Sequence, residues 1–144
     1  WRFLRWGFQR CRHIPLLWSL HLSYAFIPLG LLVLALQSMG YVGNISAALH
    51  MFTVGAISGM ILAMISRVTL GHTGRPLNPP KLISLAYICI LLATLLRVVL
   101  PGWFPVYSHL AIIAAGLLWI IAYSIYAVFY GPMMITTRAD GRPG

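Results

Sequence analysis

The sequence predicts an all-α integral membrane protein, a bundle of four transmembrane helices with both termini in the cytoplasm and an interfacial N-terminal segment. Three observations predict this class. Of the 144 residues, 60% are hydrophobic and 8% are charged, whereas soluble proteins expose a surface that is roughly 25–35% charged. Apolar runs of about 20 residues, the length that crosses a bilayer as a helix, follow one another along the chain. Basic residues separate these runs, and because four spans with short connections take up nearly the whole length, residues 1–144 are expected to form a single membrane domain.

The N-terminal segment, residues 1–14, is predicted to lie in the headgroup region of the membrane. Arginines alternate there with tryptophan and phenylalanine, which places the rings at the interface and the guanidinium groups in water. The first span covers residues 15–39 and opens with Pro15, whose missing N–H costs nothing in a first turn. Pro28 inside the span predicts a kink near Tyr24.

The other three spans are separated by turns of different lengths. A short turn over residues 40–44 leads into the second span, residues 45–66, with Asn44 as its N-cap. A Gly- and Pro-rich stretch follows and is expected to be the only substantial loop. The third span, residues 82–100, is expected to end at a Pro-Gly pair, and the fourth covers residues 106–130.

The distribution of Lys and Arg gives the orientation. Nine of the ten fall on one side of the predicted bundle, and the connections on the other side carry none. The positive-inside rule therefore places the basic side in the cytoplasm. The tenth, Arg97, lies inside the third span, where it would reach the membrane surface or pair within the bundle. Because the basic residues lie between apolar runs and not on a soluble face, no nucleic acid partner is expected.

A single acidic residue, Asp140 in the C-terminal tail, restricts the chemistry. Paired carboxylates for hydrolysis, a carboxylate proton relay and carboxylate cages for Mg²⁺ or Ca²⁺ are excluded. The sequence leaves open whether the chain is an enzyme. The histidines and methionines of the membrane region are the residue types that bind haem iron and copper.

The histidines separate into two layers when they are placed by depth. His21 lies about six residues, or roughly 9 Å, into the first span from the cytoplasm, and His72 lies in the predicted cytoplasmic loop. His50 lies about five residues from the opposite face, where His109 begins the fourth span. His50 and His109 could therefore approach each other, but neither could approach His21.

His50 belongs to one face of the second span. Gly55, Gly59 and Ser66 fall on the opposite face, where small residues allow a neighbouring helix to pack closely. His50 should therefore face a cofactor, a further helix or a partner chain. The competing interpretation is a histidine that is hydrogen-bonded to a neighbouring helix.

The segment LGHTGRPL is the most specific local feature. His72 stands between Gly71 and Gly74, with Arg67 and Arg75 on either side as a cationic collar at the membrane surface. Such a collar suits haem propionates, phospholipid phosphates or another anionic ligand. Arginines that only fix the topology are the competing interpretation.

A seven-residue repeat runs along one face of the fourth span. It consists of His109, Gly116, Tyr123 and Tyr130. A glycine in such a face would let a flat macrocycle approach the backbone, although small and aromatic residues at this spacing also serve helix packing.

The run HMFTVGAISGMILAMISRVTLGHTGRPL resembles the signature segment of the NnrS family of bacterial membrane proteins. LLWSLHLSYAFIPLGL and YGPMMITTRADGRPG look like the corresponding upstream span and C-terminal end, so the chain resembles the C-terminal portion of the family. The resemblance implies a bacterial inner-membrane location, a role in nitric oxide response or tolerance, and haem b and copper as cofactors. It implies further transmembrane helices of a larger assembly as partners. The cofactor-binding residues that it implies, with the histidines as metal ligands, are His21, His50, His72, Arg67 and Arg75.

Two other functions stay open beside this one. A cofactor-free structural or accessory transmembrane subunit could use the same helices to dock on a larger bacterial membrane complex. A transporter is disfavoured, because intramembrane acids and inverted repeats were not detected in the sequence.

Overall fold

Four long apolar helices dominate the fold, and each is long and apolar enough to cross a membrane. A computed structural model describes residues 11–41 and 45–141, and within these ranges the chain forms helices and connecting turns without strands. The all-α class with four membrane-spanning helices is thereby confirmed. The helices are α1 (Pro15–Ser38), α2 (Ile45–His72), α3 (Ile83–Trp103) and α4 (Ser108–Met134).

The starts of the helices agree with the predicted starts to within two residues, but α2 ends later than predicted. It continues past Ser66 to His72, so the prediction that His72 lies in a loop was wrong. The helix stops where Gly74 adopts a φ of +67°, which lets the N–H of Arg75 donate to the carbonyl of Leu70 at 2.9 Å. This closure by a left-handed glycine satisfies a carbonyl in the last turn. His72 therefore lies in the last turn of α2.

α3 and α4 also run beyond their predicted ends, which were residue 100, just before Pro101, and residue 130. Pro101 and Pro132 each lie in the last turn of a helix, which continues to Trp103 in α3 and to Met134 in α4. A proline lacks one N–H, but the residues after it can keep helical angles for a further turn. Pro28 likewise lies inside an uninterrupted α1. The Asn44 cap and nearly all of the N-terminal segment lie outside the described residues.

The middle of α2, Met51–Ser58, is π-helical. Just before and inside it, side chains bond to carbonyls one turn back: His50 Nδ1 lies 2.6 Å from the Ser46 oxygen, and Thr53 Oγ1 donates to the Leu49 oxygen at 2.8 Å. In a π-helix each N–H reaches the carbonyl five residues back, which widens the turn, and such segments are frequent at functional sites. His50 therefore borders a local change in helix geometry.

The helices pack in chain order. α1 lies along the whole of α2, α2 contacts α3, and α3 packs extensively against α4, while α4 also contacts the second half of α2. Two ends can be distinguished. The basic end carries the 73–82 connection and the C-terminal tail, and the neutral end carries Met39–Tyr41 and Phe104–Tyr107. The most deeply buried cluster surrounds Leu62, Ile83, Ile90 and Tyr130.

Small residues on α2 bring the neighbouring helices close, as the sequence predicted. A Cβ atom added to Gly55 would lie 2.6 Å from the ring of Phe26 on α1 and 2.9 Å from Cγ2 of Thr94 on α3. A Cβ atom on Gly59 would collide with the Ser23 side chain. α2 is therefore held between α1 and α3 along this face.

Polar side chains join α2 to α4. Trp119 Nε1 donates to Ser58 Oγ at 2.8 Å, and the Tyr123 hydroxyl donates to the Ser58 carbonyl at 3.1 Å. About three turns of α-helix further on, the hydroxyls of Thr69 and Tyr126 lie 2.9 Å apart. These bonds fix the rotation of α4 against α2, because each polar group inside a membrane needs a partner.

Candidate functional site

His50 and Arg97 form a hydrogen-bonded pair between α2 and α3. Arg97 Nε donates to His50 Nε2 at 2.8 Å, and His50 Nδ1 donates to the Ser46 carbonyl at 2.6 Å. A guanidinium can only donate and a carbonyl can only accept, so the imidazole is neutral and carries its proton on Nδ1. The lone pair of His50 is therefore on Nε2, and it accepts the hydrogen bond from Arg97.

The pair lies within the apolar part of the bundle. His50 is about five residues from the start of α2 and Arg97 about six from the end of α3, which places both roughly 8–9 Å from the neutral end. A charged arginine at the centre of a transmembrane helix costs about 2.5–3.5 kcal/mol on insertion scales. The pairing with His50 supplies a polar partner for this charge. Of the two outcomes considered for Arg97, the structure shows pairing within the bundle.

A groove of about 250 Å³ opens beside the pair. On the α4 side the groove is open, because Ala115 and Gly116 have small or no side chains and a Cβ atom added to Gly116 would meet nothing within 4 Å. Trp119 borders the same groove and is held by its hydrogen bond to Ser58. The groove is lined by His50, Val54, Arg97, Ile112, Ala115, Gly116 and Trp119.

His50 fits the role of a single metal ligand. Ligating histidines commonly donate their other ring N–H to a carbonyl, which fixes the tautomer and leaves Nε2 to coordinate, and His50 has this arrangement with Ser46. Coordination would require Arg97 to release Nε2. Within residues 11–41 and 45–141, no three His, Cys, Asp or Glu side chains lie close enough to share a metal ion. Among the described residues, His50 is therefore the one histidine that lines this groove.

His21 lies apart from His50, as its depth predicted. It is buried in α1, with 6% of its surface exposed, and its Nδ1 lies 2.8 Å from the Leu17 carbonyl. Nδ1 therefore donates to the backbone one turn earlier, and this bond fixes the orientation of the imidazole ring.

His72 is exposed at the basic end and borders a groove of about 330 Å³ together with Arg67. The second cation of this groove is Arg138 from the C-terminal tail, and not Arg75. Arg75 instead donates to the Thr73 carbonyl at 3.5 Å and to Thr136 Oγ1 at 3.3 Å. The collar expected around His72 thus contains Arg67 but is completed by a residue distant in sequence.

The tail reaches this groove because it is tied to the end of α2. The Ala139 N–H donates to the Thr73 carbonyl at 3.0 Å, and the Asp140 carboxylate covers Gly74, where it would collide with an added Cβ atom. Arg138 forms an ion pair with Asp140 at 2.7 Å. The hydrogen bond to Asp140 raises the pKa of the Arg138 guanidinium above its usual value.

The four residues of the seven-residue repeat on α4 do not line one common site. Tyr130 is fully buried and Tyr123 bonds to Ser58, so both serve packing. Gly116 lines the groove beside His50. His109 is exposed and takes no part in the hydrogen bonds of His50. The repeat therefore contributes one residue, Gly116, to the candidate site.

Sequence reasoning did not assign three residues to these sites: Arg97, Trp119 and Arg138. A signal for Arg97 was present, because it is the one basic residue placed within a predicted span and its depth from the neutral end matches that of His50. The positions of Trp119 and Arg138 depend on helix rotation and on the fold of the tail, for which the sequence carries no comparable signal.

Comparison with known proteins identifies one family. A family model described as NnrS protein matches residues 1–138. Neither the curated proteins nor the solved structures contain a match.

Proposed function

Because the chain belongs to the NnrS family over nearly its whole length, we propose that it acts as a haem- and copper-containing membrane protein in nitric oxide response or tolerance. The match over residues 1–138 is the observation that carries this proposal. Haem iron or copper, when bound, supplies a centre that coordinates nitric oxide directly. The chain's own residues then need to hold and shield the metal, and no protein acid or base is required.

His50 is the ligand that the geometry supports best. Its Nδ1–H is fixed on the Ser46 carbonyl, so Nε2 is the nitrogen that would hold the metal. This nitrogen borders a groove whose α4 wall is formed by Ala115 and Gly116, and the groove gives access from the side. Arg97 would have to move away from Nε2, and its charge would then be available to an anionic group.

The remaining candidate residues have supporting roles in this proposal. His21 is a buried second ligand candidate in the other layer of the membrane, and His72 and Arg67 border an open groove that suits propionates or lipid phosphates. Arg75 would stabilise the tail beside that groove. Further transmembrane helices would supply the ligands that this chain does not bring together, in the bacterial inner membrane with both termini in the cytoplasm.

Optical spectra of the purified protein test the proposal. The chain is produced with adequate haem and copper, purified in detergent, and examined by reduced-minus-oxidised and nitric oxide difference spectra together with metal and haem content per chain. We expect a Soret band that shifts with nitric oxide. His50→Ala should reduce the bound haem or copper several-fold, because one coordinating nitrogen is lost.

His109→Ala is the matched control, since it removes an exposed histidine at the same end of the bundle. It should leave the spectra unchanged. A haem- and copper-free chain under these conditions, or equal spectra for His50→Ala and the parent protein, would contradict the assignment.

A cofactor-free structural subunit is the second candidate, and the exposure of α4 favours it. Only 11% of the most apolar stretch of α4 is buried, against 39% for α2 and α3. This face is free to pack against helices of another chain. Copurification of a membrane partner in fixed stoichiometry, with neither haem nor copper in the complex, would support this function.

A further inference from the structure

We propose that the groove beside His50 and Arg97 binds a monovalent oxyanion, held by the guanidinium of Arg97. The site differs from the proposed metal site because it uses the positive charge of Arg97 and not the lone pair of His50. It does not rest on the nitric oxide function.

The positive charge of Arg97 has no acidic partner in the described part of the chain. Asp140 is the only acidic side chain in the sequence, and it is paired with Arg138 at the basic end. Arg97 lies about fourteen residues along α3 from Ile83, so roughly 21 Å of helix separates it from that end. Asp140 therefore does not neutralise Arg97, and His50 supplies a lone pair and no negative charge.

The terminal amines of Arg97 are available to an anion. In the described part of the chain, Arg97 makes its hydrogen bond through Nε, and neither Nη1 nor Nη2 has a hydrogen-bond partner. A guanidinium presents its N–H donors as a planar fork that matches a carboxylate or a similar planar oxyanion with two parallel bonds.

The groove restricts the size and charge of the anion. Its volume of about 250 Å³ and its small α4 wall at Ala115 and Gly116 admit a group of a few heavy atoms. Its other walls are largely apolar, with Val54 and Trp119 beside the charged pair. Removing a second negative charge from water into such a site would be costly. One cation in an apolar groove therefore favours a single negative charge.

A small anion from water and the phosphate group of a phospholipid share the required chemistry. Both present oxygen atoms and a single charge to the guanidinium. Arg97 lies about six residues, or roughly 9 Å, from the end of α3, so either source can reach the groove from the neutral end. The experiment below includes both.

Acetate is the probe, and Trp119 is the reporter because it lines the same groove. The full chain is purified in maltoside micelles, which contain no phosphate, and sodium acetate replaces sodium chloride at constant ionic strength. We expect a saturable change in tryptophan fluorescence that is absent in Trp119→Phe. Arg97→Gln should weaken the apparent affinity at least roughly tenfold, and Arg97→Lys by less, because lysine keeps the charge and loses the fork.

Lys81→Gln is the control, since it removes an exposed positive charge at the basic end. It should bind acetate as the parent does, and far-UV circular dichroism verifies that each variant is folded. Phosphatidylglycerol added to the micelles should raise the apparent Kd for acetate if lipid phosphate occupies the groove, and leave it unchanged if water-soluble anions do. Either result supports an oxyanion site.

Three results would overturn the proposal. The first is the lack of a saturable change with acetate in the folded parent chain. The second is an undiminished response in folded Arg97→Gln. The third is an equal fluorescence response when sodium chloride and sodium acetate are added separately to the same low-salt buffer, which would show that Arg97 attracts any anion without preference for oxyanions.

Discussion

Gly55→Ala is expected to destabilise the bundle, because α2 meets two helices at this position. The new Cβ atom would lie 2.6 Å from Phe26 ring atoms and 2.9 Å from Cγ2 of Thr94. The Phe26 contact includes the ring carbon attached to Cβ, which cannot turn away as the far end of a flexible side chain could. Overpacking of this kind costs about 1–3 kcal/mol, while replacing a helical glycine by alanine returns about 0.5–1 kcal/mol. Because both contacts are shorter than 3.0 Å, the upper part of the overpacking range applies, and the expected net loss is about 1–2 kcal/mol.

Unfolding by sodium dodecyl sulfate in mixed micelles, followed by circular dichroism, measures this loss. Gly55→Ala should unfold at a lower fraction of the denaturing detergent than the parent. Gly131→Ala is the matched control on α4, because a Cβ atom there meets nothing within 4 Å, and it should be as stable as the parent or slightly more stable.

A second substitution tests the stated cause. Phe26→Ala removes every ring carbon that the new Cβ atom would meet, including Cγ, so the double variant should lose less than the sum of the two single losses. A coupling of more than about 0.5 kcal/mol in this cycle is expected for residues in contact. The packing argument fails if Gly55→Ala is as stable as the parent, or if the two losses simply add.

Three further predictions concern the connections of α2 and the orientation. Gly74→Ala should lower the free energy of unfolding by at least about 1–2 kcal/mol, because the position has a left-handed φ and Asp140 covers it. The same detergent titration measures this loss. Gly71→Ala is the control, because Gly71 is helical and an added Cβ atom there meets nothing within 4 Å. Thr69→Val and Tyr126→Phe should show a coupling of about 0.6 kcal/mol in a double-mutant cycle, and purely additive losses would contradict a bond between these hydroxyls. A green fluorescent protein fused to the C-terminus should fluoresce, since it folds in the cytoplasm; a dark fusion with an active periplasmic reporter would reverse the proposed topology.

The spans could be predicted from the sequence because membrane helices have a strong physical signal. An unbroken apolar run must satisfy its backbone internally, and a helix does this without reference to any other part of the chain. The close face of α2 was also predictable, since Gly55 and Gly59 allow an approach that larger residues would block. The helix ends were less predictable. Pro101 marks a place where one hydrogen bond is missing, but the turn that contains it can still be helical.

The candidate site was only half predictable. His50 stood out because an imidazole inside a membrane is costly without a partner. Its bond to Arg97 depends on which helices are neighbours and on how each is rotated, and a helical projection of one span contains neither. The π-helical segment after His50 adds to the difficulty, because residues across it no longer advance by 100° each.

The two proposed ligands of this site are connected through one hydrogen bond. With Nδ1 fixed on the Ser46 carbonyl, His50 has a single lone pair on Nε2, and Arg97 and a metal ion are alternative occupants of it. An anion on the Arg97 fork competes for the same guanidinium and weakens its bond to His50. Anion binding would therefore make Nε2 more available to a metal, and metal binding would free Arg97 for the anion. Because binding linkage is reciprocal, each ligand would raise the affinity for the other by the same factor.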